Sequence, residues 1–138
     1  MVGCSQVMRE LEALGTVRAT RTARGFNAEP ADGHGFGLEL VRDQSEFTVL
    51  FLGDHQHFET EGEALRFLVY LLSDRCRLVE VSRGRRTYKW VVESSESGGW
   101  RPWLTMGTCL LFPFWRSRQQ RIHQNHAVAD PESVLAAT

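Results

Sequence analysis

The sequence predicts an α+β fold, in which an antiparallel sheet of about five strands carries two helices, about 5–14 and 61–74, packed on one face. Two observations lead to this class. Apolar residues recur at the spacing of a helix face in two segments, and they alternate with polar residues in two pairs of segments joined by short turns. A sheet that buries only one face needs the apolar stripes of both helices to cover it.

The first predicted helix covers residues 5–14. Ser5 is the candidate N-cap, the apolar residues that follow fall on one side, and Gly15 supplies the C-terminal stop. Residues 16–24 alternate, but they combine β-branched residues with alanines, which leaves both a strand and a second helix open. Residues 27–37 are rich in Gly, Asp and Pro, and this composition predicts a mobile loop.

Two elements in the middle of the chain have the strongest patterns. Residues 36–42 and 47–53 alternate around a polar turn, which predicts an antiparallel hairpin. Thr60 then opens a capping box, Thr-Glu-Gly-Glu, immediately before a run of apolar residues at helical spacing. This pattern predicts the second helix, residues 61–74, with an acidic first turn that suits the helix dipole.

A second hairpin is predicted further along the chain. Residues 77–83 and 87–93 alternate on either side of a glycine-containing turn, and residues 100–112 are expected to return as one or two further strands. The hydrophobic periodicity ends after these strands. We therefore predict one domain over residues 1–121 and a polar C-terminal tail over residues 122–138, either disordered or a short helix.

Composition excludes several classes of protein. The 138 residues suit one domain, the hydrophobic (42%) and charged (24%) fractions are ordinary, and no apolar run approaches the roughly 20 residues of a membrane span. Cys4, Cys76 and Cys109 lie far apart, which argues against a disulfide framework and a zinc knuckle. Cys76 lies between two arginines that would activate a thiol, but its position at a strand start favours burial. With no secretory signal visible, we expect a cytoplasmic protein with no cofactor and no membrane partner.

The net charge of −1 conceals two halves of opposite sign. Residues 1–74 hold 6 arginines against 12 acidic residues, a net of −6, whereas residues 75–121 hold 10 basic residues against 3 acidic ones, a net of +7. Two interpretations follow. Either the halves fold together and their charges interleave on one surface, or a basic face binds an acidic partner or phosphates.

Aromatic residues interleaved with arginines mark the candidate interaction surface. Such clusters are enriched at protein interfaces, and they also form stacking surfaces for single-stranded nucleic acid, while packing within the core and along its edges is the structural alternative. The predicted surface comprises Arg85, Arg86, Trp100, Arg101, Trp103, Trp115 and Arg116. We therefore predict a non-catalytic binding module (an adaptor, inhibitor or chaperone-like protein) whose partner is another protein or a second copy, with nucleic-acid binding as the first alternative.

His55 and His57 are the candidate metal ligands. Two residues apart, they project from the same face of an extended strand, and such a pair is a usable ligand set for zinc, with His34 or Glu59 as a third ligand. The competing interpretation is a polar connection before the cap at Thr60. A metal-dependent enzyme is the second alternative function, although no nucleophile motif or phosphate-binding loop is present and no catalytic residue is predicted.

Overall fold

The computed structural model of the chain describes residues 3–96, 98–107 and 115–136. Within these ranges it contains three helices and nine strands, so the predicted α+β class is confirmed. Their order along the chain is α1 (Cys4–Ala13), β1 (Val17–Arg21), β2 (Gly25–Pro30), β3 (Leu38–Asp43), β4 (Glu46–Phe51), β5 (Asp54–Phe58), α2 (Glu61–Leu72), β6 (Cys76–Arg83), β7 (Arg86–Glu96), β8 (Gly99–Gly107), β9 (Arg118–His123) and α3 (Pro131–Ala136).

The strands form two antiparallel sheets, and each sheet contains one of the two predicted hairpins. The first sheet has the order β1-β2-β3-β4-β5, and the second has the order β8-β7-β6-β9. Along the chain, α2 separates the strands of the two sheets. The structure therefore divides the predicted hairpins between antiparallel sheets of five and four strands, and the short helix allowed for near the C-terminus is present as α3.

The helix α2 is the central packing element. It contacts β3, β4 and β5 of the first sheet, β6 of the second sheet, and both other helices. Seven of its twelve residues are buried, as expected for a helix with apolar neighbours on more than one side. The predicted cap is confirmed, because Thr60 Oγ1 accepts a hydrogen bond from the backbone N–H of Glu63 at 3.2 Å.

One hydrophobic core joins both sheets and all three helices. Its largest fully buried side chains include Leu11 from α1, Phe26 and Phe51 from the first sheet, Phe67 from α2 and Leu78 from the second sheet. Burying each such side chain stabilises the folded state by about 1.5–3 kcal/mol before entropy is counted. The two sheets are therefore parts of one packed unit.

The first sheet contains two segments whose sequence patterns were weak. Residues 16–24, left open between strand and helix, contain β1. Residues 27–37 were predicted as a loop, but their first part belongs to β2, so that prediction is wrong there. Ala28 and Pro30 are buried and pair with β1, and Pro30 is tolerated because it stands at the strand end.

The C-terminal residues add to the fold despite their polarity. β9 pairs with β6 although residues 118–122 are all exposed, so no apolar alternation marks this strand in the sequence. The predicted tail, residues 122–138, contains the last two residues of β9, the whole of α3 and the buried side chain of Asn125. Residues 108–112, predicted as strand, lie outside the ranges that the structure describes.

Candidate functional site

The structure divides the predicted interaction surface between the two ends of the second sheet. Trp100 and Arg101 pair with Ser95 and Ser94 near the end of β7, whereas Arg86 is the first residue of that strand. At ~3.3 Å per residue, the nine positions between Arg86 and Ser95 separate the two groups by about 30 Å. The seven predicted residues therefore do not lie on one common surface.

Two of the predicted tryptophans make contacts within the fold. Trp103 is 43% exposed, and its indole lies 6.0 Å from the ring of Phe67 and 5.9 Å from that of Tyr70, both on α2. Trp100 is half-buried, and the guanidinium of Arg77 lies 4.2 Å from its ring centroid, a cation–π contact. Packing contacts of this kind do not need a partner molecule.

The remaining predicted residues lie at the opposite end of the second sheet. There the β6–β7 turn meets the start of β9, because Arg83 pairs with both Arg86 and Arg118. Gly84 in the turn has a positive φ of 62°, which favours glycine, and the side chain of Arg116 lies over it. We call this region the basic end and define it by six arginines: Arg83, Arg85, Arg86, Arg116, Arg118 and Arg121.

Glu80 supplies a carboxylate beside the basic end. It accepts hydrogen bonds from Thr87 Oγ1 and from His123 Nε2, the latter at 3.0 Å. Burial raises the pKa of Glu80, but the hydrogen bonds from Thr87 and His123 outweigh this effect and hold the pKa below its ordinary value of 4.5. The nearby charge of Arg121 also lowers this pKa, and Glu80 is therefore ionised at neutral pH.

A groove of about 620 Å³ runs beside this carboxylate at the basic end. Within the described ranges, no salt bridge joins Arg85, Arg118 or Arg121 to another residue. Guanidinium, hydroxyl and amide donors are the groups that bind carboxylate or phosphate oxygens. The lining residues are Glu80, Ser82, Gly84, Arg85, Thr87, Gln119, Gln120 and Arg121.

Most of these lining residues were not predicted from the sequence. The sequence predicts Arg85 as a site residue, but it does not predict Glu80, Gln119 or Arg121. The charge excess of residues 75–121 was the available signal, but it does not say which cations share an end of the sheet. That information lies in the pairing of β6 with β9.

Glu80 links a hydroxyl group and an imidazole at the groove. The hydroxyl of Thr87 donates to its carboxylate, and His123 Nε2 is bonded to the same carboxylate. The described thiols are protonated at neutral pH, because burial raises the pKa of Cys4 to about 11 and that of Cys76 to about 12. The predicted burial of Cys76 is confirmed.

The candidate metal ligands are brought together only in part. His55 and His57 share a face of β5, with ring centroids 4.9 Å apart, as predicted. His57 Nδ1 lies 2.8 Å from Thr48 Oγ1, so this nitrogen is engaged within the sheet. His34 lies beside Asp32 in a different groove, and Glu59 does not complete the set. Among the described residues, no group of three or more His, Cys, Asp or Glu side chains is arranged to hold a metal ion.

The carboxylate of Glu80 makes stability depend on pH. Its pKa is depressed in the folded state, so the ionised form stabilises the fold above the ordinary pKa of 4.5, and this contribution is lost as pH falls through the folded-state pKa. We expect Glu80→Gln to lower the free energy of unfolding near neutral pH by about 1.5–3 kcal/mol, the range for hydrogen bonds to a charged group. We also expect it to flatten the decline in acid.

Urea unfolding at a series of pH values from neutral to acid measures both effects. Glu12→Gln, at an exposed position on α1, is the matched control and should follow the parent chain. If the Glu80→Gln variant and the parent chain lose stability in parallel below pH 4.5, the carboxylate does not have this role.

Comparison with known proteins gives no further guidance to the site. No protein-family model matches the chain, and neither the curated proteins nor the solved structures contain a significant match to it. No helix in the described part of the chain has the length and apolar character needed to cross a membrane.

Proposed function

We propose that this protein is a non-catalytic binding module that holds an acidic segment of a partner protein against its basic end. One observation carries the proposal. The arginines of the basic end lie around the meeting of the β6–β7 turn with β9, and three of them, Arg85, Arg118 and Arg121, form no salt bridge with the described residues. An accumulation of positive charge of this kind attracts a negatively charged partner.

A protein partner fits this end better than nucleic acid. Single-stranded nucleic acid binds to surfaces that stack several bases on aromatic side chains. Of the predicted tryptophans, Trp115 is the one beside the basic end, and Trp100 and Trp103 lie elsewhere. The ionised carboxylate of Glu80 in the groove also disfavours a run of phosphates, whereas a segment with spaced carboxylates can avoid it.

The cytoplasm is the compartment that we propose for this activity. Cys4 and Cys76 are free thiols, and structural cysteines remain reduced in a compartment of low redox potential. An adaptor, an inhibitor and a chaperone-like protein all use a binding surface of this kind, so the proposal concerns the surface and the chemistry of its partner.

Fluorescence anisotropy with the full chain tests the proposal. The probe is a labelled peptide in which glutamate alternates with valine, and a labelled oligothymidine is the competing ligand. We expect the peptide to bind, its affinity to fall with added salt, and the double substitution Arg85→Glu and Arg121→Glu to weaken binding by about tenfold or more, equivalent to ~1.4 kcal/mol.

The control is Arg24→Glu with Arg101→Glu, which reverses two exposed arginines away from the basic end. This variant should bind the peptide within about twofold of the parent chain. Equal loss in both double variants, tighter binding of oligothymidine than of the peptide, or no binding of the peptide would each overturn the proposal. Analytical ultracentrifugation is expected to show a monomer, and a dimer that Arg85→Glu and Arg121→Glu dissociate would also overturn it.

A further inference from the structure

We infer that the acidic segment binds by pairing with the outer edge of β9, so that it becomes a fifth strand of the second sheet. This inference rests on the proposed function and adds the geometry of binding to it. In this mode of recognition, main-chain hydrogen bonds supply affinity, and alternate side chains supply specificity.

The position of β9 in the sheet is the first argument. The order of the second sheet is β8-β7-β6-β9, so β9 is an edge strand. One side of it pairs with β6 along six register positions, from Arg83↔Arg118 to Leu78↔His123. Within the described part of the chain, no strand pairs with its other side. Such an edge presents a row of backbone N–H and C=O groups to an incoming strand.

The other three sheet edges are less suited to an acidic strand. On β1, Arg18 is neutralised by Glu29 at 3.0 Å, and on β5, His57 is bonded to Thr48. β8 contains Pro102, which has no N–H to donate, and its pairing with β7 is interrupted by a bulge. β9 combines an edge position with two arginines, 118 and 121, that form no salt bridge with the described residues, although Arg121 lies opposite Glu80 and lowers the pKa of that carboxyl group.

The alternation of side chains along β9 indicates what the partner strand should contain. Gln119 and Arg121 pair with Ser82 and Glu80, so these side chains face the groove. Ile122 points to the opposite face and is 54% exposed. A strand that pairs with β9 therefore meets Arg121 on the groove face, and both Ile122 and Arg118 on the other face. In a strand of alternating acidic and apolar residues, the acidic side chains can lie beside Arg121 and the apolar ones beside Ile122.

The same arginines disfavour pairing between two copies of β9. Natural sheets place charged residues on edge strands to prevent association of identical edges. Two β9 edges would bring Arg118 and Arg121 of one copy against those of another, and like charges directly opposite are destabilising. An acidic strand reverses the sign of this interaction, so the edge selects a partner of different sequence.

Backbone methylation of the peptide tests this geometry without altering the protein. In an extended strand, the N–H groups of the glutamates point to one edge and those of the valines to the other. Two probes are made from the alternating peptide, one N-methylated at its glutamates and one at its valines. We expect one of them to bind about tenfold or more weakly and the other to bind within about threefold of the unmodified peptide.

Hydrogen exchange read by mass spectrometry supplies the second measurement. We expect the unmodified peptide to slow exchange of the amides in Arg118–His123, and the weakly binding methylated probe to leave it unchanged. If both methylated probes bind equally, whether tightly or weakly, or if β9 gains no protection, pairing is wrong while charge-dependent binding at the basic end stands. If the unmodified peptide does not bind, the proposed function fails together with the inference.

Discussion

Replacing Phe67 with alanine is expected to lower the free energy of unfolding by about 3–5 kcal/mol. Phe67 is completely buried in α2, and its ring lies 5.0 Å from Phe58, 6.1 Å from Phe51 and 6.0 Å from Trp103. These contacts join the first sheet to β8 of the second sheet. The truncated side chain leaves a cavity at this junction, and the surrounding rings relax only partly to fill it.

Urea denaturation followed by far-ultraviolet circular dichroism measures this change. Leu50→Ala, at a position 37% exposed on β4, is the control, and we expect a smaller loss of about 1–2 kcal/mol because this side chain is only partly buried. A loss below about 1 kcal/mol for Phe67→Ala would mean that the two sheets do not depend on this contact.

The second large effect is expected at Asn125. Its side chain is 1% exposed, accepts a hydrogen bond from the N–H of Phe36 at 2.8 Å, and donates to the carbonyl oxygens of Phe36 and Leu71, both at 3.0 Å. Asn125→Ala removes these partners and leaves buried backbone groups unsatisfied, so we expect a loss of about 3 kcal/mol. Gly35 packs against the same amide, since a Cβ there would lie 2.0 Å from Asn125 Oδ1.

Asn125→Asp tests whether the donated hydrogen bonds matter. The carboxylate keeps the size and the acceptor of asparagine, but it loses both donors and places a charge in a buried site, so it should be at least as unstable as Asn125→Ala. Gln124→Ala, which removes one exposed hydrogen bond to the carbonyl of Asp74, is the control and should cost about 1 kcal/mol or less. Wild-type stability for Asn125→Asp would contradict the role assigned to the amide.

The elements that the sequence predicts well are those whose signals are local. The capping box at Thr60 and the apolar spacing after it determine α2, because the cap and the buried face both depend on residues within a few positions. The hairpin of β3 and β4 is equally local, since its turn and its alternation lie within one short segment. β2 and β9 lack such signals. The strand β2 contains residues that are typical of turns, and the side chains of β9 do not alternate between buried and exposed.

The candidate site was predictable only in part for the same reason. Arg85, Arg86 and Arg116 were identified from the sequence and lie together at the basic end. Trp100 and Arg101 lie about 30 Å away because β7 is eleven residues long and β8 runs back along it. This separation cannot be predicted from a short segment of sequence, because it follows from the length of β7 and its register with β8.

By itself, the sequence determined the α+β class, the two main helices, two hairpins and the contrast between an acidic first half and a basic second half. These features depend on periodicity, capping and composition, which neighbouring residues specify. The tertiary structure alone decided that the strands form two sheets, that Asn125 is buried, and that Arg118 and Arg121 join the basic end. The pairing of β9 with β6 connects residues about 40 positions apart in the sequence. Such long-range contacts depend on the packing and hydrogen bonding of the whole chain.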